Sequence, residues 1–312
     1  MSLVDEKVYD TIMNTANRAL DGIAYSDHAE WLFGADWGDL TIPAICDMMW
    51  EGGVTKVWTT VGGPDHSAAA ACGDEDVRYV LRCFEGMRQF VKDYSGSALN
   101  ERSFDFHRSI HSQPSLCPSQ GLNCYIMSAA DQKEKHARTG DDSRKGKLLD
   151  YLYLYSKQEH GCAENSGPET RTHEMHAKED LVNLARTARS QILALQESGP
   201  FGAPVVVPYY LIFNDRACFY LQFSFAEGLF AAHKFFELQF PKTNRDVTAV
   251  LAMAEAFLTF RGIMERTASK LATTTVRPGV LKMRPLSKKP SSAFRTPKKS
   301  KPKKDEAKKD EE

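Results

Sequence analysis

The sequence predicts an α+β fold: a mostly helical single domain with a small antiparallel sheet, followed by a disordered basic C-terminal tail. Three observations predict it. Residues 205–225 read VVVPYYLIFNDRACFYLQFSF, two β-prone runs around Asn214-Asp215. Five other stretches repeat their apolar residues at helical spacing. Beyond about residue 273 the apolar pattern stops and lysine takes over. These bounds predict a globular domain over 1–272 and a tail over 273–312.

The hairpin is the anchor of the reading. Residues 205–213 are β-branched and aromatic, and short polar side chains at Asn214-Asp215 suit a turn. Phe219, Leu221, Phe223 and Phe225 alternate with polar residues, which puts four large side chains on one sheet face. Pro208 has no N–H for a ladder, so its strand is expected at an edge or at a bulge. After Gly228 the spacing of Leu229, Ala232, Phe236 and Phe240 predicts a helix that Pro241 ends.

Taken in order, residues 4–20 form a first helix through Val8, Ile12, Ala16 and Ala19. All four tryptophans lie in 31–58, where Trp37 and Trp50 either flank a pocket or pack against the body. Packing is the simpler reading, since aromatics dominate core energetics. Residues 76–94 carry the clearest amphipathic stripe of the first half: Val77, Val80, Leu81, Phe84, Met87 and Val91. Residues 122–127 make a short strand. Residues 148–155, LLDYLYLY, make another, although the spacing of Leu149, Leu152 and Tyr153 also suits a short helix. Residues 95–120, 128–147 and 156–176 read as mobile polar loops. A helix over 179–196 follows, with Leu181, Leu184, Ala188 and Ile192 on one side. The last helix covers 246–264, with Asn244 as its cap.

Composition bounds the function. The chain has 312 residues and a formal net charge of −1. That near-neutrality hides an asymmetry, because residues 276–312 hold 13 Lys/Arg against 5 Asp/Glu. The remainder is acidic. The charged opening, MSLVDEKVYD, does not read as a signal peptide, and no apolar run suggests a membrane span. Seven scattered cysteines without a C-x-x-C are expected as reduced thiols.

The string APVVVPYYLIFN followed by FYLQFSF resembles the signature segment of a fungal mating-type family. That family is the second protein of the α-type mating locus of filamentous ascomycetes, which has neither an α-box nor an HMG box. Its Pro-Pro-Phe pattern falls on Pro204, Pro208 and Phe213, and the similarity covers roughly 180–260. The family's His-Pro-Gly triplet has no counterpart; Gly63-Pro64-Asp65-His66 has another order. The resemblance implies a nuclear, non-enzymatic regulator of sexual development, needed for fertility and post-fertilisation development. It also implies other mating-type regulatory proteins as partners in transcriptional control.

The chemistry legible in the residues is sparse. Gly62-Gly63-Pro64 lacks the Gly-Lys-Ser/Thr of a phosphate loop. His160, Cys162, His173 and His176 are types that zinc accepts, but their spacing fits no standard finger, and a solvated loop is expected. A nuclease of the restriction type needs a carboxylate on one strand and Glu-x-Lys on the next, around a divalent ion. The nearest match in sequence, Tyr155-Ser156-Lys157, has tyrosine where the acid belongs. This gives an alternative reading: a catalytically dead nuclease-like fold serving as an interaction module. No catalytic residue, cofactor or metal is assigned. The tail lysines Lys288, Lys289, Lys298, Lys299, Lys301, Lys303 and Lys304 are read as a nuclear-import signal or as phosphate contacts for nucleic acid, against a plain solubilising tail.

Overall fold

The computed structural model describes residues 6–94, 122–140, 145–155, 157–166, 171–199 and 205–273. The described residues fall within one compact unit, Met1–Val276. Pro204, the segment 95–120 and every tail lysine named above lie outside the described residues.

The architecture is α+β. Five helices come first: α1 (Glu6–Leu20), α2 (Asp27–Gly34), α3 (Ile42–Thr60), α4 (Ala68–Gly73) and α5 (Glu75–Tyr94). Then come β1 (Leu122–Met127), α6 (Ala129–Thr139), β2 (Leu148–Tyr155), β3 (Gln158–Asn165) and α7 (Arg171–Ser198). The chain continues through β4 (Val206–Phe213), β5 (Arg216–Ala226), β6 (Leu229–Gln239) and α8 (Val247–Thr273).

The sheet is larger than the sequence suggested, and it is mixed. Six strands lie in the order β1-β2-β3-β4-β5-β6. Two antiparallel meanders, β1–β3 and β4–β6, meet along one parallel pair, β3 with β4. A parallel pair needs a crossover, and α7 supplies it.

Local chemistry sets most boundaries. Ser26 caps α2 by accepting from the Ala29 N–H at 3.1 Å, and Thr41 caps α3 through Ala44. Gly53, at φ 64°, breaks α3 in its middle. Asn214 takes φ 59° in the β4–β5 turn, where a short polar side chain tolerates the left-handed region. The Asp246 carboxylate, rather than Asn244, closes the turn before α8 by accepting from the Lys242 and Thr243 N–H groups.

Each sheet face has its own core. On one, α8 packs Phe257 and Phe260 against Tyr153, Tyr210 and Phe219, all buried. The rings meet edge-on at centroid distances of 4.9–5.4 Å, a favoured aromatic geometry. The other face packs Leu152, Cys162, Val207 and Tyr209 under Leu184, Ala188 and Ile192 of α7. Helix α8 is long and apolar enough to cross a bilayer over Val247–Ala272, but 67% of that span is buried inside the fold. Its apolar length therefore serves the core.

Five further expectations need correction. Residues 229–239 form strand β6, not a helix; Gly228 turns at φ 71° and the run pairs along β5. Backbone pairing with β5 outweighed the helical spacing of the side chains. Pro208 sits in a central strand, yet it precedes the first parallel pair, Cys162 with Tyr209. Its missing N–H therefore falls beyond the end of the β3 ladder. The expected loop over 128–147 contains α6, capped by Ser128 through the Asp131 N–H. That over 156–176 contains β3 and the first turns of α7. Trp37 is buried as expected, whereas Trp50, expected to pack as well, is 83% exposed, so no pocket is shared between them.

Candidate functional site at the junction of β2, β3 and α7

The register decides where charge gathers. Tyr151 pairs with Ala163 and Leu152 with Cys162, so Asp150 stands opposite Glu164. Side chains directly opposite on antiparallel strands share a face, and like charges there repel. Both carboxylates point to the α7 side, where Asp180 of α7 completes the group.

Glu164 is the most unusual member. It is 94% buried by its 6% relative exposure. Burial pushes its carboxyl up to about 8, the Asp150 charge adds to this, and Asp180 adds less. Lys147 pulls the other way, while a hydrogen bond that the protonated Glu164 carboxyl donates to the Asp150 carboxylate favours the neutral acid. Glu164 Oε1 accepts no hydrogen bond. Lys147 Nζ stands 3.5 Å from it and 3.7 Å from Asp180 Oδ1. Those separations exceed the usual length of a charge-assisted hydrogen bond, so the ammonium acts as a nearby point charge.

The frame around the acids is tightly made. The Asn165 N–H donates to Asp150 Oδ2 at 2.8 Å, and the Ser166 hydroxyl donates to Asp180 Oδ2 at 2.9 Å. The Lys147 N–H donates to Asp131 Oδ2 at 2.6 Å. Gly146 lies so close to the Ser128 carbonyl that any Cβ would collide with it. Thus α6 fixes the backbone from which Lys147 reaches the acids.

Further buried polar groups lie on β3 and α7. His160, the bulged residue of β3, is 1% exposed, meets the Tyr155 ring edge-on, and leaves Nδ1 without a partner. Burial lowers its pKa to about 4, so it is neutral at ordinary pH. Thr187 and Gln191 of α7 each leave one buried oxygen without a hydrogen bond. Gln191 Nε2 does donate to Glu159 Oε2 at 3.3 Å, which places this end of α7 beside the start of β3.

The sites anticipated from sequence fall as follows. His160 and Cys162 are buried on β3, while His176 is exposed on α7, so these three members of the zinc-type set are not brought together; the His173 side chain lies outside the described residues. Among the described residues, no three His, Cys, Asp or Glu side chains come together as a metal-holding group. Lys157 occupies the β2–β3 turn at φ 65°, at the opposite end of the hairpin from Asp150. Pro208 is buried in β4, and Phe213 is partly buried at its end; both serve the core.

Asp150, Glu164, Asp180 and Lys147 were not singled out from the sequence. A signal for one was present: Asp150 is the only charge in LLDYLYLY. The arrangement holds a proton near neutral pH and balances three acids with one ammonium. Against the restriction-type requirement, the strand-borne carboxylates are in place. Two residues beyond Glu164, however, stands Ser166, and the lysine comes from the segment before β2. Comparison with family models, with curated proteins and with solved structures finds no match.

Proposed function

We propose that this chain is a non-catalytic regulatory module built on a restriction-nuclease-like core. The observation that carries the proposal is the Asp150–Glu164 pair on adjacent strands, followed by the α7 crossover to a parallel β4. That is the arrangement such nucleases need, with serine in place of the catalytic lysine at position 166. Incubation with single- and double-stranded DNA and RNA in Mg2+ or Mn2+ is expected to yield no cleavage. Cleavage that Glu164→Gln abolishes would overturn the non-catalytic reading.

The regulatory part of the proposal comes from the mating-type resemblance and the lysine-rich tail. It places the protein in nuclei, acting with other mating-type proteins in the control of sexual development. A reporter fusion tests it: nuclear signal in the full chain, and release to the cytosol when residues 298–304 are deleted. Nuclear location unchanged by that deletion removes the role given to the tail.

A further inference from the structure

Helix α3 carries an inference that does not depend on that reading. Trp50 leaves 83% of its surface in water, whereas Trp37 and Trp58 serve the core. Asp47, Trp50 and Glu51 follow the i, i+3, i+4 spacing of one helix face. Gly52 and Gly53 come next and add no side chain beside the ring, and Gly53 breaks the helix there. Both acids are held only at the surface. Asp47 meets Arg88 of α5 at 2.8 Å and Glu51 meets Lys56, and all four side chains are 44–64% exposed. Exposed pairs of this kind contribute little to stability, so an incoming cation can exchange into them. Glu85 of α5 adds a third acid at this corner. Burial pushes up the Cys46 thiol beneath it, and the charges that reach that thiol are those of Arg88, Glu85 and Asp47. The surrounding layer is acidic too, since residues 1–94 hold 16 Asp/Glu against 7 Lys/Arg, a net charge of −9.

We propose that this face of α3 docks an arginine-rich segment of a partner protein, with one guanidinium stacked on the Trp50 indole and held by Asp47 and Glu51. Arginine suits the site better than lysine. Its planar guanidinium lies flat on an aromatic ring while its N–H groups still reach a carboxylate. Tryptophan is also the side chain most enriched where partners bind tightly. The acidic layer steers a basic segment towards the ring and repels an acidic or phosphate-bearing one. A purely apolar partner would have to strip water from both carboxylates without replacing it.

Fluorescence anisotropy of labelled nona-arginine with the full chain tests this, beside nona-lysine, nona-glutamate and a neutral Gly-Ser peptide of the same length. The native chain is expected to bind nona-arginine, nona-lysine more weakly, and the other two not at all. Trp50→Ala should weaken nona-arginine about tenfold or more, and Trp50→Phe, which keeps an aromatic face, should lose less. The double variant Asp47→Asn with Glu51→Gln should weaken it as well. Circular dichroism checks that these surface variants keep the fold. Four results overturn the proposal: no binding of nona-arginine, equal binding of any of the other three peptides, an affinity that Trp50→Ala or the double variant leaves unchanged, or a Trp50→Phe loss as large as that of Trp50→Ala.

Discussion

Replacing Glu164 with glutamine should remove a pH dependence from the stability of the fold. The carboxyl titrates near 8 in the folded chain against an ordinary value of 4.5. Between those values the folded state holds one more proton than the unfolded state, so stability falls as pH rises. The slope is roughly 1.4 kcal/mol per pH unit. His160 acts oppositely, because burial lowers it from 6.5 to about 4. Between those limits the unfolded state holds the extra proton, and stability rises with pH. The two slopes cancel from about pH 4.5 to 6.5. What remains is a loss of roughly 2 kcal/mol between about pH 6.5 and 8. Urea unfolding at half-unit pH steps reads this directly. Glu164→Gln should rise to about pH 6.5 and then stay level. A native chain equally stable at pH 6.5 and 8, or a glutamine variant that keeps the decline, would refute the assignment of that proton to Glu164.

The companion substitution His160→Leu should expose the hidden half of the Glu164 slope, with stability falling from about pH 4.5 upward; no change below pH 6.5 contradicts it. Gly146→Ala should cost about 1–3 kcal/mol in urea unfolding, since the added Cβ meets the Ser128 carbonyl and not a side chain that can turn aside. Arg261→Met should cost about 3–5 kcal/mol, because it strands Asp76, whose partner guanidinium on α8 is mostly buried. That loss should persist in high salt, unlike the loss of an exposed pair.

The parts of the fold legible in sequence are those whose burial follows one period. The stripe through Val77, Phe84 and Met87 faces a single core, and α5 appears where it was expected. Residues 205–225 fold into β4 and β5 around Asn214 for the same reason. Strand β3 was hidden because its composition answers to its neighbours. Phe260 and Met264 press on Gly161, with Pro208 on the adjoining strand, so small residues stand where β-branched ones were sought. Once β3 is missed, the partner of Asp150 is missed as well, since only the register opposes it to Glu164. Helix α6 was hidden by its polarity: Ala130 and Asp131 are its only buried residues, and it is held by the Ser128 cap and by ion pairs to α7.

Charge along the chain decides which part can meet a phosphate backbone. Residues 1–94 hold 16 Asp/Glu against 7 Lys/Arg, and residues 95–275 hold 20 of each. The helical half therefore repels polyanions and the sheet half is neutral, which leaves the net positive charge to residues 276–312. Any nucleic-acid binding should then be governed by the tail and be indifferent to sequence. Lys298, Lys299, Lys301, Lys303 and Lys304 bring five charges close together. If each neutralises one phosphate of duplex DNA, deleting 298–304 should flatten the plot of log affinity against log salt by about 4.5. Fluorescence anisotropy with a labelled duplex at several salt concentrations measures that slope. A deletion that leaves it unchanged would move the contact surface to the folded body, where the acid-rich α1–α5 layer offers no physical basis for it.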